Sequence, residues 1–302
     1  MDMREFKFGI EIECFGRMRS EVAKRIQTVV GGTARPIGGW YDETSSWVVD
    51  DRQRRTWKIV NDSSINATHG QKIEIVSPIL TYTDIPQLQE VVRAVRRLGC
   101  KVNDTTGIHI HVDKTIFTAK TLTNFVKIFY KQEALLFEAL QVQPQRELNY
   151  CKSTTDYLID RLNQVKPKTL QELSDIWYEQ YPNQRRNTKY HSSRYRALNV
   201  HAALTGPTIE CRIFNSTLHA GKVKAYVQLV LAMAAKAANS RSARADQRPF
   251  NPESAKFDFR CFLLNLGLIG EEFATARLHL LKHLPGDAAF KKGRKSRPAR
   301  AA

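Results

Sequence analysis

Four short segments alternate apolar residues with metal- or phosphate-seeking ones: Phe8-Gly-Ile-Glu-Ile-Glu13, Lys72-Ile-Glu-Ile-Val76, Gly107-Ile-His-Ile-His-Val-Asp113 and Thr208-Ile-Glu-Cys-Arg-Ile-Phe214. Period-two alternation is the signature of strands, whose successive side chains point to opposite faces. Glu11 shares a face with Glu13, His109 with His111 and Asp113, and Glu210 with Arg212. The other faces carry Ile10, Ile12, Ile73, Ile75, Ile108, Ile110, Ile209 and Ile213, so each strand packs on a core and its charged side is held in place. Fixed charges of this kind suit a metal site. Hard divalent cations such as Mg²⁺ or Mn²⁺ take oxygen ligands from carboxylates with a little imidazole. Glu11, Glu13, Glu74, His109 and Glu210 would supply that set. If all five converged without a cation, repulsion would push their protonation upward, so either cations are present or the strands are not neighbours.

The remaining pattern places helices between the strands. Helical spacing or capping residues mark 20–30, 84–98, 121–141, 155–165, 169–179 and 222–238, with one or two further helices within 255–284. Residues 40–50 and 56–60 read as a hairpin around Asp50-Asp-Arg-Gln-Arg-Arg55, and 195–200 as a strand. The order lacks the regular cadence of a doubly wound fold and predicts an α+β architecture, a curved and mainly antiparallel sheet backed by helices. With no linker or composition boundary, the expected organisation is one domain, residues 1–284, followed by a basic and disordered tail, 285–302.

Charge narrows the partners. A formal net charge of +17 implies an anionic ligand: nucleotide, nucleic acid, acidic polymer or phosphorylated metabolite. Arg212 offers a fork for carboxylate or phosphate, and the loop 183–197, read as mobile, adds Arg185, Arg186, Lys189, Arg194 and Arg196 as phosphate clamps. The five cysteines are odd in number and scattered, which indicates neither a disulfide framework nor a zinc knuckle; Cys14 and Cys211 read as small core hydrophobes. No secretory signal or membrane-length apolar run is found, so a cytoplasmic location is expected. P-loop, dinucleotide turn, H-E-x-x-H and G-x-S-x-G motifs are absent, and any ATP would have to bind through metals and basic side chains.

Taken in order, Phe8-Gly-Ile-Glu-Ile-Glu13, Asp62-Ser-Ser64, Glu74-Ile-Val-Ser-Pro78, Thr106-Gly-Ile-His-Ile-His-Val-Asp113, Arg196 with Asn199, and Thr208-Ile-Glu-Cys-Arg-Ile-Phe-Asn-Ser-Thr217 resemble the amidoligase family, distant relatives of glutamine synthetase and gamma-glutamylcysteine synthetase. The resemblance implies a glutamine synthetase-like catalytic fold and an ATP- and Mg²⁺- or Mn²⁺-dependent ligase that joins a carboxylate to an amine through an acyl phosphate. It implies metal ligation by Glu11, Glu13, Glu74, His109 and Glu210, phosphate contact by His111, and clamping by Arg212 and Arg196. Lys189 and Arg194 are expected on the nucleotide, and Asp62 to assist the amine or to form a turn. Two other classes use the same inventory: a metal-dependent nuclease or phosphoesterase, and a non-catalytic module binding nucleic acid through the basic loop and tail. Neither the acid, the amine nor the oligomeric state is legible.

Overall fold

The computed structural model describes residues 1–37, 45–247 and 249–293. The described chain runs β1 (Phe8–Phe15), α1 (Arg19–Val30), β2 (Thr33–Ile37), β3 (Ser46–Asp50), β4 (Thr56–Val60), β5 (Lys72–Val76), α2 (Ile85–Leu98) and β6 (Gly107–Asp113). Then follow α3 (Ala119–Leu140), α4 (Pro144–Asn149), α5 (Asp156–Val165), α6 (Leu170–Tyr178), β7 (Leu198–Asn199), α7 (His201–Thr205), β8 (Thr208–Asn215), α8 (Ala220–Asn239), α9 (Ala255–Asn265) and α10 (Ala274–Leu281).

The helix boundaries follow local chemistry. Thr118 and Thr155 cap α3 and α5 by accepting N–H groups of the first turn. Pro86 sits in the first turn of α2, where its missing N–H costs nothing, and Gly99 ends the helix at φ +95°, a left-handed position that a side chain would strain. Residues 40–44 of the expected hairpin lie outside the described residues, as do 294–302 of the expected tail; the hairpin's remaining part is β3 and β4. Strand β2 and helices α4 and α7 carry no strong periodic signal and were not anticipated, and the expected strand at 195–200 shrinks to two residues.

Among the described residues eight strands join one antiparallel sheet in the order β2-β3-β4-β5-β1-β6-β8-β7. The α+β class and the helical backing are as expected. The expectation of a curved, glutamine synthetase-like sheet is corrected, because this sheet is open and ends at β2 and β7. Its end strands explain why: β2 contains Pro36, which cannot donate to a further neighbour, and β7 is too short to extend the ladder.

The isoleucine face meets the helices. Ile10, Ile12, Ile73, Ile75, Ile108 and Ile110 are all buried in one apolar cluster with side chains from α1, α2, α3 and α8. Strict alternation fails at one place. Gly107 and Ile108 pair with Asn215 and Phe214, but from Ile110 onward the partners are Cys211, Glu210 and Ile209, so β8 holds one extra residue opposite His109. This bulge carries Phe214, which unbroken alternation from Glu210 would put on the charged face, into the core, where it stacks on Tyr226 of α8 with ring centroids 4.5 Å apart. Phe214→Ala is therefore expected to lower stability in urea unfolding by about 3–4 kcal/mol; a loss below about 1 kcal/mol would contradict the bulge.

Candidate metal and anion site

The strand register brings the expected ligands together. Glu11 lies directly opposite His109 across β1 and β6, Glu13 opposite Glu74 across β1 and β5, and His111 opposite Glu210 across β6 and β8. Cross-strand neighbours on one face are in side-chain contact, and like charges so placed repel. Glu13 facing Glu74 is such a pair.

The contacts are close. His109 Nδ1 is 2.9 Å from Glu11 Oε2 and 3.6 Å from Glu210 Oε1, while its Nε2 is 3.6 Å from Glu13 Oε1. His111 Nε2 lies 3.4 Å from Glu11 Oε1 and 4.0 Å from Glu210 Oε1. Arg212 Nη1 donates to Glu210 Oε1 at 2.5 Å, and Asn199 Nδ2 donates to the other oxygen, Oε2, at 2.6 Å. Two overlapping groups, Glu11–His111–Glu210 and Glu11–Glu74–His109, each place one ligand atom per residue within 4.8 Å of the others. Glu11 belongs to both. Glu13 belongs to neither; its Oε2 accepts the Gly107 N–H at 2.6 Å.

These groups fit a divalent cation by a further observation. His111 Nδ1 is engaged with Thr208 Oγ1 at 3.1 Å, whereas its buried Nε2 has no hydrogen-bond partner although it sits between two carboxylates. With the proton on Nδ1, Nε2 presents its lone pair toward the same space as the carboxylate oxygens, the arrangement by which a bonded ring nitrogen fixes a ligating one. Glu11, Glu74, His109, His111 and Glu210 are the residues that would hold cations.

Protonation follows from burial and neighbours. Burial raises Glu74, the charge of and hydrogen bond with Glu11 raise it further, and together they push it up to about 9. Burial acts on Glu11 in the same direction, but the neighbouring His109 and His111 outweigh it and hold that carboxyl well below its usual range. Glu210 resists burial through the charges of Arg212, His111 and His109 and falls to about 2. Burial is the largest influence on Glu13 and raises it.

Three cavities border this face. A wide one of about 420 Å³ lies at the Glu11 and His111 end, walled by Phe8, Ile10, Val76, Pro78 and Pro207. A second, of about 380 Å³, touches Glu210, Asn199, His201, Lys189 and Arg194. A third, of about 170 Å³, reaches Glu13, His109, Asp62, Arg146, Arg194 and Arg212.

The basic loop is exposed over 183–190 and buried at its C-terminal end, at His191 and Ser193. His191 is buried and stacks on His201 at 5.0 Å, and Tyr178 Oη lies 2.6 Å from His201 Nδ1. Burial holds both imidazoles below their ordinary range, which favours the neutral form of the stacked rings. This anchoring aims Arg194 at the site and turns Arg196 away: Arg196 donates to Ser153 O at 2.5 Å and to Tyr181 Oη at 3.0 Å and lines none of the three cavities. Lys189 stands further out, with its ammonium 5.4 Å from the Tyr190 ring centre. Asp62 lines the third cavity and also accepts the Ser64 N–H at 2.7 Å, closing a turn.

A family profile described as "Putative amidoligase enzyme" matches residues 4–234. The chain belongs to the amidoligase family. The match takes in every strand of the described residues and every residue of the site. No curated protein matches the chain. Among the described residues no helix is long and apolar enough to cross a membrane.

Sequence reasoning missed Arg146 and gave Asn199 no role. Asn199 meets Glu210 through the pairing of β7 with β8, which no spacing in the sequence shows, and Arg146 lies in the short helix α4, where nothing in the pattern sets it apart.

The Glu74 proton makes a measurable prediction. Between the ordinary value of 4.5 and about 9 the folded chain holds a proton that the unfolded chain releases, so this carboxyl's contribution to stability falls as pH rises. In EDTA at mildly alkaline pH, Glu74→Gln is expected to melt above the wild type, with the gap closing toward the acid end of that window; Mn²⁺ should raise the wild-type Tm more than the variant's. A variant that melts lower in EDTA and keeps the full Mn²⁺ shift would contradict this.

Proposed function

We propose that this amidoligase is an ATP-dependent ligase that joins a carboxylate to an amine through an acyl phosphate. The observation that carries the proposal is the pair of ligand groups sharing Glu11, bordered on one side by an apolar-walled cavity and on the other by a small arginine-lined one. Phosphoryl transfer needs cations and positioned donors far more than it needs a nucleophilic side chain.

The wider cavity is the candidate seat of the nucleoside, since Phe8, Ile10, Val76, Pro78 and Pro207 offer apolar walls and its volume exceeds that of the arginine-lined cavity. Bound Mg²⁺ or Mn²⁺ would neutralise the oxygens of the triphosphate, held by Glu11, Glu74, His109, His111 and Glu210. Arg212 is fixed by Glu210 and by its Nε donating to Tyr150 O at 3.3 Å, which orients the guanidinium at the small cavity. In the first half-reaction a carboxylate oxygen of the acid attacks the γ-phosphorus, the bond to the β-phosphate bridging oxygen breaks, and ADP leaves with that electron pair. In the second, the amine nitrogen attacks the acyl carbon, the carbon–oxygen bond to phosphate breaks, and the amine loses a proton. Asp62, beside that cavity, is the candidate to accept this proton.

We take 1–284 as one catalytic domain, supported by the single apolar cluster that extends from Met3 to Leu284. The net charge of +17 supports an anionic or polymeric substrate, with nucleic acid among the candidates.

Incubation with ATP, Mg²⁺ and pooled acids and amines is expected to release ADP and phosphate, with release falling by about 100-fold or more in Glu11→Gln. Undiminished release in that variant, or nucleic-acid cleavage that needs no nucleotide, would overturn the proposal.

A further inference from the structure

Arg19 and Arg146 are each 1% exposed, yet their guanidinium groups are treated differently. Arg19 donates to three backbone carbonyls, Ser45 O at 3.0 Å, Lys72 O at 2.9 Å and Gly70 O at 3.4 Å, and so ties chain segments together. Arg146 donates one hydrogen bond, from Nη2 to Arg212 O at 3.1 Å, and its buried Nε has no partner. Among the described residues no carboxylate oxygen lies within 4 Å of it, and Glu13, whose charge acts on it, stands beyond ion-pair distance. Burying a cation without a counter-ion costs several kcal/mol. Nevertheless the fold makes room for it: Gly107 lacks the Cβ that would collide with both Nη atoms of Arg146.

The missing counter-ion has a place to sit. Arg146, Arg212 and Arg194 all line the cavity of about 170 Å³. Arg194 is held there with its guanidinium 5.4 Å and 5.6 Å from the ring centres of Tyr190 and Tyr195 and its Nη1 donating to Lys189 O at 3.3 Å. Arg212 has committed Nη1 and Nε, which leaves Nη2. Glu13 and Asp62 line the same cavity without forming an ion pair with any of the three arginines.

We propose that Arg146, Arg212 and Arg194 form a seat for a phosphate-sized oxyanion, with Arg146 as its buried anchor. Three guanidinium groups offer more donors than the two oxygens of a carboxylate can accept, and forked donors favour the tetrahedral phosphate. The seat rests on the ligase proposal only for its use: there it would receive the phosphoryl group on its way from ATP to the acid and hold the phosphate that later leaves.

The test is calorimetric titration of the full chain, without metal or nucleotide, using inorganic phosphate and, separately, acetate. The wild type is expected to bind phosphate at least about tenfold more tightly than acetate. Arg146→Lys, which keeps the charge and loses the fork, and Arg194→Gln should each weaken phosphate by about tenfold. Arg25→Gln, an exposed control on α1, should leave it unchanged. Circular dichroism checks folding, and if Arg146→Lys does not fold, Arg194→Gln decides. No phosphate binding by the wild type, equal binding of acetate, or full affinity in both cavity variants would overturn the seat. Phosphate binding without ADP release from ATP would refute the ligase and leave the seat standing.

Discussion

Everything at this site depends on the pairing of β1 with β5 and β6, and of β6 with β8, in a register that sets Glu11 beside His109, Glu13 beside Glu74 and His111 beside Glu210. A shift by one residue would exchange every charged side chain for an isoleucine. The isoleucines forbid that shift: burying Ile10, Ile12, Ile73, Ile75, Ile108 and Ile110 against α1, α2, α3 and α8 locks the sheet to the helices. Hydrophobic burial on one face thus contributes the stability that holds mutually repelling carboxylates together on the other.

The charged face then divides its work by neighbour. Glu210 is kept ionised by Arg212 and held at both oxygens by Arg212 and Asn199. Glu11 is kept ionised by two histidines, while Glu74 retains a proton that a cation can displace. One sheet therefore presents carboxylates whose neighbours favour the ionised form beside one that responds to metal and pH. Around it, the stretch from α4 to α7 supplies the wall: Arg146, Tyr150, Arg194 and Asn199 all come from it, fixed by the stacked His191 and His201.

Much of the sheet was legible because period-two alternation with an apolar back leaves few alternatives. The ligand strands and most long helices announce themselves in this way. The sheet's shape did not, since openness depends on whether end strands find partners, and neither Pro36 in β2 nor the two-residue β7 makes a pattern of its own. The bulge at His109 escaped for a related reason: Thr208-Ile-Glu-Cys-Arg-Ile213 alternates strictly, and although the adjacent apolar pair Ile213-Phe214 ends that alternation, only the pairing shows an extra residue there. Glu13 and Arg196 illustrate a second limit. Residue type and face suggest a ligand and a clamp, but they do not show that one Glu13 oxygen accepts the Gly107 N–H or that Arg196 donates to the Ser153 carbonyl. Arg146 was invisible because its importance lies in burial, which a six-residue helix does not reveal.

The central claim is that segments distant in sequence surround one small volume suited to neighbouring divalent cations sharing Glu11. Electron paramagnetic resonance of the full chain titrated with Mn²⁺ in the presence of a non-hydrolysable ATP analogue tests it directly. The account predicts a spin-coupled Mn²⁺ signal, as carboxylate-bridged ions give, that disappears in Glu11→Ala. Isolated, uncoupled Mn²⁺ in the wild type, or coupling that survives the loss of Glu11, would contradict it.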